Sequence, residues 1–226
     1  MKNTASTKKG FSLIFLVSFL ILSCGALAAL KLRLDQEARN KVPGSSIIYI
    51  PSGKYLKFAT LGNAPLAADL IYAWAIQYYS DYSIADRFSH LRHIFSIISE
   101  LDPRNTSSYV VGGLIAAHEA RDIDLALELL DMGFARNPDQ WILPFEAAHY
   151  AQLLKKDYRL AQSYYEKAMA VKGSPDILKR LYANVSYMAL DYETSLRTWL
   201  EIYQTSQDES VKKIASNHLY QVKAAL

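Results

Sequence analysis

The stretch Asp122-Ile123-Asp124-Leu125-Ala126-Leu127-Glu128-Leu129-Leu130 decides how this chain folds, because it comes round again. Asp122-Ile123 leads to Ala126 and Leu130; Asp157-Tyr158 leads to Ala161 and Tyr165, and Asp191-Tyr192 to Ser195 and Trp199. In each case an aspartate is followed by a bulky residue, then a small one three positions on and an apolar one four beyond that. A recurrence of about 35 residues is the length of one helical hairpin, which cannot bury its apolar face alone and must stack on its neighbours.

Working outward, the pattern extends upstream. Phe88 stands 35 residues before Ile123, and Pro103 stands 35 before Pro138, whereas Tyr158 and Tyr192 are 34 apart. Helix pairs are therefore expected near 65–81 and 84–101, 106–120 and 123–136, 140–154 and 157–171, and 175–189 and 192–205. A last amphipathic helix near 208–225 is expected to cover the end of the stack. Units of 35 residues imply one added residue in the inner helix or its turn.

These features resemble the tetratricopeptide repeat family over roughly residues 65–205. Gly113, Ala148 and Ala183 fall near the small position of each first helix. Ala126, Ala161 and Ser195 fill that of each second helix, with Gly133 and Ala168 at the next. Proline ends the units at Pro103 and Pro138, and Pro175 comes a little late. The chain departs from the family where the aromatic early in the first helix is missing from the second unit and where Ile202 replaces a small residue. Thr60-Leu61-Gly62, Leu66, Trp74 and Gln77-Tyr78-Tyr79 look like the opening segment of bacterial membrane-anchored members. The resemblance implies an all-α, right-handed superhelical solenoid of about four antiparallel helix pairs plus a C-terminal capping helix.

It also implies a binding mode. First helices of such stacks line a concave face that holds extended or helical partner segments. The spacing puts Tyr109, Gly112, Ile115, His118 and Glu119 on that face, then Phe145, Glu146, His149 and Gln152, and finally Arg180, Asn184 and Tyr187. This mixture of aromatic and polar groups suits a protein or peptide partner and lacks a repeated Lys/Arg clamp for a carboxylate terminus.

The N-terminus carries a second instruction. Phe11 to Leu30 are twenty positions without a charge, with Phe11, Leu13, Ile14, Phe15, Leu16, Val17, Phe19, Leu20, Ile21, Leu22, Leu27 and Leu30 as apolar bulk. About 20 helical residues reach about 30 Å, the thickness of a bilayer core. The expected organisation is a short tail (1–10), a transmembrane signal anchor (11–30), a juxtamembrane linker (31–64) and the repeat domain (65–226). Lys31–Lys41 extends the anchor helix, Val42-Pro43-Gly44-Ser45-Ser46 breaks it, and Ile47–Ile50 forms a short strand or strap. Lys54–Leu61 reads as a short helix stopped by Gly62-Asn63, and Pro65 opens the next.

Three other readings of the N-terminus stay open. Gly25-Ala26-Leu27-Ala28-Ala29 offers small residues for cleavage of a secretory signal. Ile21-Leu22-Ser23-Cys24 resembles a lipobox, although Leu22 is not the usual residue there. Lys8-Lys9-Gly10-Phe11-Ser12-Leu13-Ile14 resembles a type IV prepilin leader, with Phe15 where that family has glutamate. Basic residues flank both sides of the apolar run, so charge hardly orients it. The expectation is a single-pass protein of a bacterial inner membrane with its soluble domain on the periplasmic side.

Composition narrows the function. Hydrophobic residues make up 51% of the 226 positions, enough for a core, while 9 glycines and 7 prolines favour helices over short strands. The formal charge of +3 is interleaved with acidic residues, without the clustered stripe of a nucleic-acid binder. The single Cys24 cannot form an internal disulfide. His90 and His93 have a two-ligand spacing with nothing to complete a metal set, and packing beside aromatics accounts for them. No phosphate loop, nucleophile elbow or metalloprotease motif occurs. No enzyme activity, cofactor or metal is expected. The expected function is a membrane-anchored adaptor for protein–protein interaction in an envelope assembly. The alternative is a structural subunit of a pilus, secretion or other membrane complex, held through its anchor helix.

Overall fold

The computed structural model describes residues 17–33 and 50–225, and every regular element among them is helical. The chain divides into two compact units, residues 1–49 with 83–86, and residues 50–82 with 87–226. In the first, residues 17–33 form helix α1. Its apolar side chains are exposed, among them Phe19, Leu20, Ile21, Leu22, Leu27 and Leu30, as is the thiol of Cys24. Among the described residues no helix is long and apolar enough to cross a membrane. The first six positions of the expected span (11–16), the prepilin-like leader, the break at Val42–Ser46 and the strand residues 47–49 lie outside the described residues.

The second unit is an ordered series of helices: α2 (Gly53–Ala59), α3 (Ala64–Ser80), α4 (Leu91–Leu101), α5 (Thr106–Leu114), α6 (Ile123–Arg136), α7 (Ile142–Tyr150), α8 (Tyr158–Met169), α9 (Ile177–Met188), α10 (Tyr192–Thr205) and α11 (Glu209–Ala225). From α3 to α11 each helix packs on the next, and α2, expected in a linker, packs on α4. The helix pairs stand where the recurrence puts them, except before α4. There residues 81–86 are not helical and Arg87–His90 make one 3₁₀ turn.

Each helix is dictated by its apolar spacing. In α4, Leu91, Ile94, Phe95, Ile98 and Leu101 recur at three- and four-residue steps and are buried. In α6 the same role falls to Leu125, Ala126, Leu129, Leu130 and Gly133. Burying one such leucine contributes about 2 kcal/mol before entropy is counted. The recurring aspartates are helix caps. Asp122, Asp157 and Asp191 accept hydrogen bonds through Oδ1 from the amides of Leu125 (2.9 Å), Leu160 (3.0 Å) and Thr194 (3.2 Å), opening α6, α8 and α10. The residue before each cap, Arg121, Lys156 or Leu190, is left-handed, with φ of 56°, 58° and 63°.

The difference between 35- and 34-residue units has a physical location. Helices α5 and α7 each run on into a π turn, Ile115–Glu119 and Ala151–Lys155, but α9 does not. Accordingly the amide of Asp122 bonds the carbonyl of Ala116 (2.8 Å) and that of Asp157 the carbonyl of Ala151 (2.9 Å), six residues back. That of Asp191 reaches Ser186 (2.9 Å), five back, as in a Schellman closure. The added residue sits in the widened last turn.

The small residues set how closely helices approach. A Cβ on Gly133 would lie 2.7 Å from Cγ of Tyr109, and one on Gly112 would lie 2.8 Å from Phe95. Ala126, Ala161 and Ser195 have no exposure at the matching crossings. Asn137, also buried, ties successive units together, its Nδ2 donating to the carbonyls of Pro103 (2.8 Å) and Gly133 (3.1 Å). A continuous core runs from α3 to α9, and a smaller one joins Ala183, Trp199, Ile202, Ala215 and Val222 of α9–α11.

Candidate functional site

The two π turns carry four of the residues expected on the binding face: Ile115, His118 and Glu119 in the first and Gln152 in the second. A π turn shifts the phase of the side chains that follow, and such turns concentrate at functional sites. Here they bring the ends of α5 and α7 together around a group of aromatic and ionisable side chains.

On α7, Phe145 and His149 are one helical turn apart with ring centroids 4.9 Å apart, and Phe145 also meets Trp141 (5.7 Å) and Tyr165 of α8 (6.4 Å). Glu146 and Tyr150 share the adjacent stripe. His118 approaches the Tyr150 ring edge-on at 5.7 Å. Gln152 accepts a 2.9 Å hydrogen bond from the Tyr165 hydroxyl, and its amide nitrogen approaches Sδ of Met188 in α9 at 3.7 Å.

The electrostatics centre on Glu146. Burial pushes its carboxyl above the ordinary value, opposed by the charges that His149 and His118 can carry. It makes no hydrogen bond or ion pair with any described residue. The Tyr150 and Tyr165 hydroxyls are each pushed up to about 12, by burial first and by Glu146 second. The Tyr150 hydroxyl is itself buried without a partner among the described residues.

Beside this group lies a cavity of about 460 Å³, lined by Ile76, Tyr79 and Tyr82 around α3 and by Val111, Leu114, Ile115, His118 and Glu119 of α5 and its π turn. His118 belongs to both, so the apolar cavity and the Glu146 group are contiguous. Arg87 lies 3.8 Å from the Glu119 carboxylate and stacks on Tyr82 and Phe88 (4.7 and 4.4 Å to the ring centroids).

The structure thus gathers Ile115, His118, Glu119, Phe145, Glu146, His149 and Gln152. It sets the other expected face residues elsewhere. Tyr109 is buried against Gly133, its hydroxyl 3.3 Å from the Pro103 carbonyl, and Gly112 packs on Phe95. Arg180 lines a separate cavity of about 600 Å³ with Asp176, Thr205 and Asp208. Tyr187 packs on Tyr192 (5.4 Å), and Asn184 is half-buried on α9. Sequence spacing missed Tyr150, Tyr165, Val111 and Leu114. The i, i+4 step from Glu146 to Tyr150 and from Val111 to Ile115 was the available signal.

The paired histidines do not converge on a ligand set. His93 donates from Nε2 to the Ile50 carbonyl at 2.9 Å, and His90 ends the 3₁₀ turn. Among the described residues no group of three or more His, Cys, Asp or Glu side chains can hold a metal ion. Compared with protein-family models and with curated proteins, the chain matches none.

Proposed function

We propose that this chain is a membrane-anchored interaction scaffold, a right-handed solenoid of tetratricopeptide type that holds a protein or peptide partner in a bacterial envelope assembly. Its anchor helix spans residues 11–30 of the inner membrane, and the stack lies on the periplasmic side. The observation that carries the reading is that two successive first helices end in π turns bearing expected face residues, Ile115, His118 and Glu119 in one and Gln152 in the other. The first of these turns lines, with α3 and α5, a cavity large enough for a bulky side chain. The helix order, the recurring caps and the exposed apolar surface of α1 all support it. The face is rich in aromatic rings and poor in catalytic geometry, which favours recognition over chemistry.

The test is crosslinking in native membranes with the full-length chain, comparing wild type with a His118→Ala/Glu119→Ala/His149→Ala variant. The expected result is one partner recovered with wild type and lost with the variant, at unchanged helicity and melting temperature. Recovery that ignores the variant and disappears only when Phe11–Leu30 is replaced by an unrelated anchor would overturn the scaffold reading in favour of a structural subunit held in the membrane.

A further inference from the structure

Helix α3 buries small residues and exposes large ones. Ala64, Ala68 and Ala75 lie in the core, while Leu66 and Leu70, one turn apart, are 60% and 66% exposed. A helix whose outer face meets only water turns its leucines inward, because apolar area gains by leaving water. Helix α2 repeats the arrangement. It packs on α4 through Gly53, where a Cβ would lie 2.6 Å from Cβ of Glu100, and Leu56 also faces the core. Tyr55 and Phe58 turn outward, and Leu61 is 89% exposed in the turn between the two helices. All five exposed side chains fall within residues 55–70. Among the described residues of the second unit nothing covers them, whereas at the other end of the series α11 packs over α10. Exposed apolar clusters of this kind mark surfaces that meet a protein or a membrane.

The charges of the segment select between the two. Lys54 and Lys57 are exposed and form no ion pair among the described residues. No acidic residue occurs between Ile50 and Ala68. We infer that residues 54–70 seat on a bilayer surface, with Tyr55, Phe58, Leu61, Leu66 and Leu70 entering the boundary between headgroups and acyl chains and Lys54 and Lys57 meeting anionic headgroups. Aromatic, leucine and lysine side chains together are the mixture that this boundary holds. A second copy suits the segment less well. A two-fold contact would gather the lysines of both copies, with Asp69 as the only carboxylate of the segment to offset them. The chain also delivers the segment to the bilayer. Residues 31–53 join Leu30 to Lys54, so an inserted anchor keeps the segment within about 80 Å of the surface. Docking is then intramolecular, and weak contacts suffice.

This inference rests on the membrane-anchored reading, and the two can fail separately. Full-length chains in a Cys24→Ser background carry one nitroxide each, at Phe58→Cys, Leu61→Cys or Leu66→Cys. Ile21→Cys reports the anchor, and Leu153→Cys and Tyr220→Cys report apolar positions exposed elsewhere. Each chain is reconstituted in nanodiscs of mixed phosphatidylglycerol and phosphatidylcholine and checked for unchanged melting. Collision with oxygen, which concentrates in lipid, is compared with collision with a water-soluble nickel chelate. Oxygen is expected to dominate at Ile21, Phe58, Leu61 and Leu66, and nickel at Leu153 and Tyr220. Lys54→Gln/Lys57→Gln should lower the docked-to-free ratio read at Leu61 roughly ten- to thirty-fold in these discs and leave it unchanged in pure phosphatidylcholine. Nickel dominance at Phe58, Leu61 and Leu66, with the Ile21 label still in lipid, overturns the docking and leaves the anchor standing. Protection from both reagents, with spin–spin broadening that disappears on dilution with unlabelled chain, overturns it in favour of a second copy. Nickel dominance at Ile21 overturns the anchor, whatever the other sites show.

Discussion

Leu190 holds a left-handed backbone (φ 63°) with a side chain that is 70% exposed, so the conformation costs free energy that packing does not return. Replacing it with glycine removes the steric conflict and deletes little buried surface. Leu190→Gly should stabilise the chain by about 1 kcal/mol, read as a higher melting temperature; an unchanged or lower value would show that Leu190 packs in a way its exposure hides. Glu146 offers a test through pH. Burial raises its pKa in the folded state above the usual 4.5, so the fold favours the protonated form. Stability linked to it is present below the ordinary glutamate range and is lost as pH rises through the raised value. Melting of Glu146→Gln should therefore gain on wild type as pH rises above the ordinary glutamate range, and parallel curves would contradict the burial argument. At this scale the sequence was readable where size decides: Gly133, Ala126, Ala161 and Ser195 stand at close crossings. Tyr109 was not, because a tyrosine near a predicted groove looks like a ligand contact, and only the bare surface of Gly133 shows where its ring goes.

At the scale of elements, the recurrence carried more than helix positions. The aspartates proved to be caps and the spare residue proved to be a π turn, both consequences of spacing alone. What spacing could not supply was the side of α5 ahead of its widened turn: Val111 and Leu114 line the cavity while Tyr109 and Gly112 pack inward, whereas Ile115, His118 and Glu119 within the turn also line it. The π turn that ends α7, Ala151–Lys155, can be removed experimentally. Leu153 is 60% exposed in it, and its deletion restores a unit of the length found before Tyr192. ΔLeu153 should fold with full helicity and lose at most about 2 kcal/mol, while displacing Gln152 from Tyr165. Global unfolding on this deletion would mean that the extra residue is needed for the stack itself.

For the molecule as a whole, the division of the apolar interior matters. The core from α3 to α9 is continuous, while Trp199, Ile202, Ala215 and Val222 form a separate cluster at the α10–α11 end. Trp199 is 2% exposed and stacks on His218 with ring centroids 4.3 Å apart. In a chain of sequential neighbours such a cluster can open without the rest. Trp199→Ala should cost about 3–5 kcal/mol locally, so that amides of residues 192–225 exchange faster while those of α4 to α8 keep their protection. Uniform loss of protection would instead make the second unit a single cooperative block.

The unequal closing turns also limit how this protein can be recombined. Its hairpins look like interchangeable modules, but α5–α6 and α7–α8 end their first helices with six-residue closures and α9–α10 with a five-residue one. Exchanging the first two keeps every downstream side chain in frame. Splicing the third into either place drops one residue from the ring, as an unpaired deletion does in a reading frame, and turns the following surface to face a different neighbour.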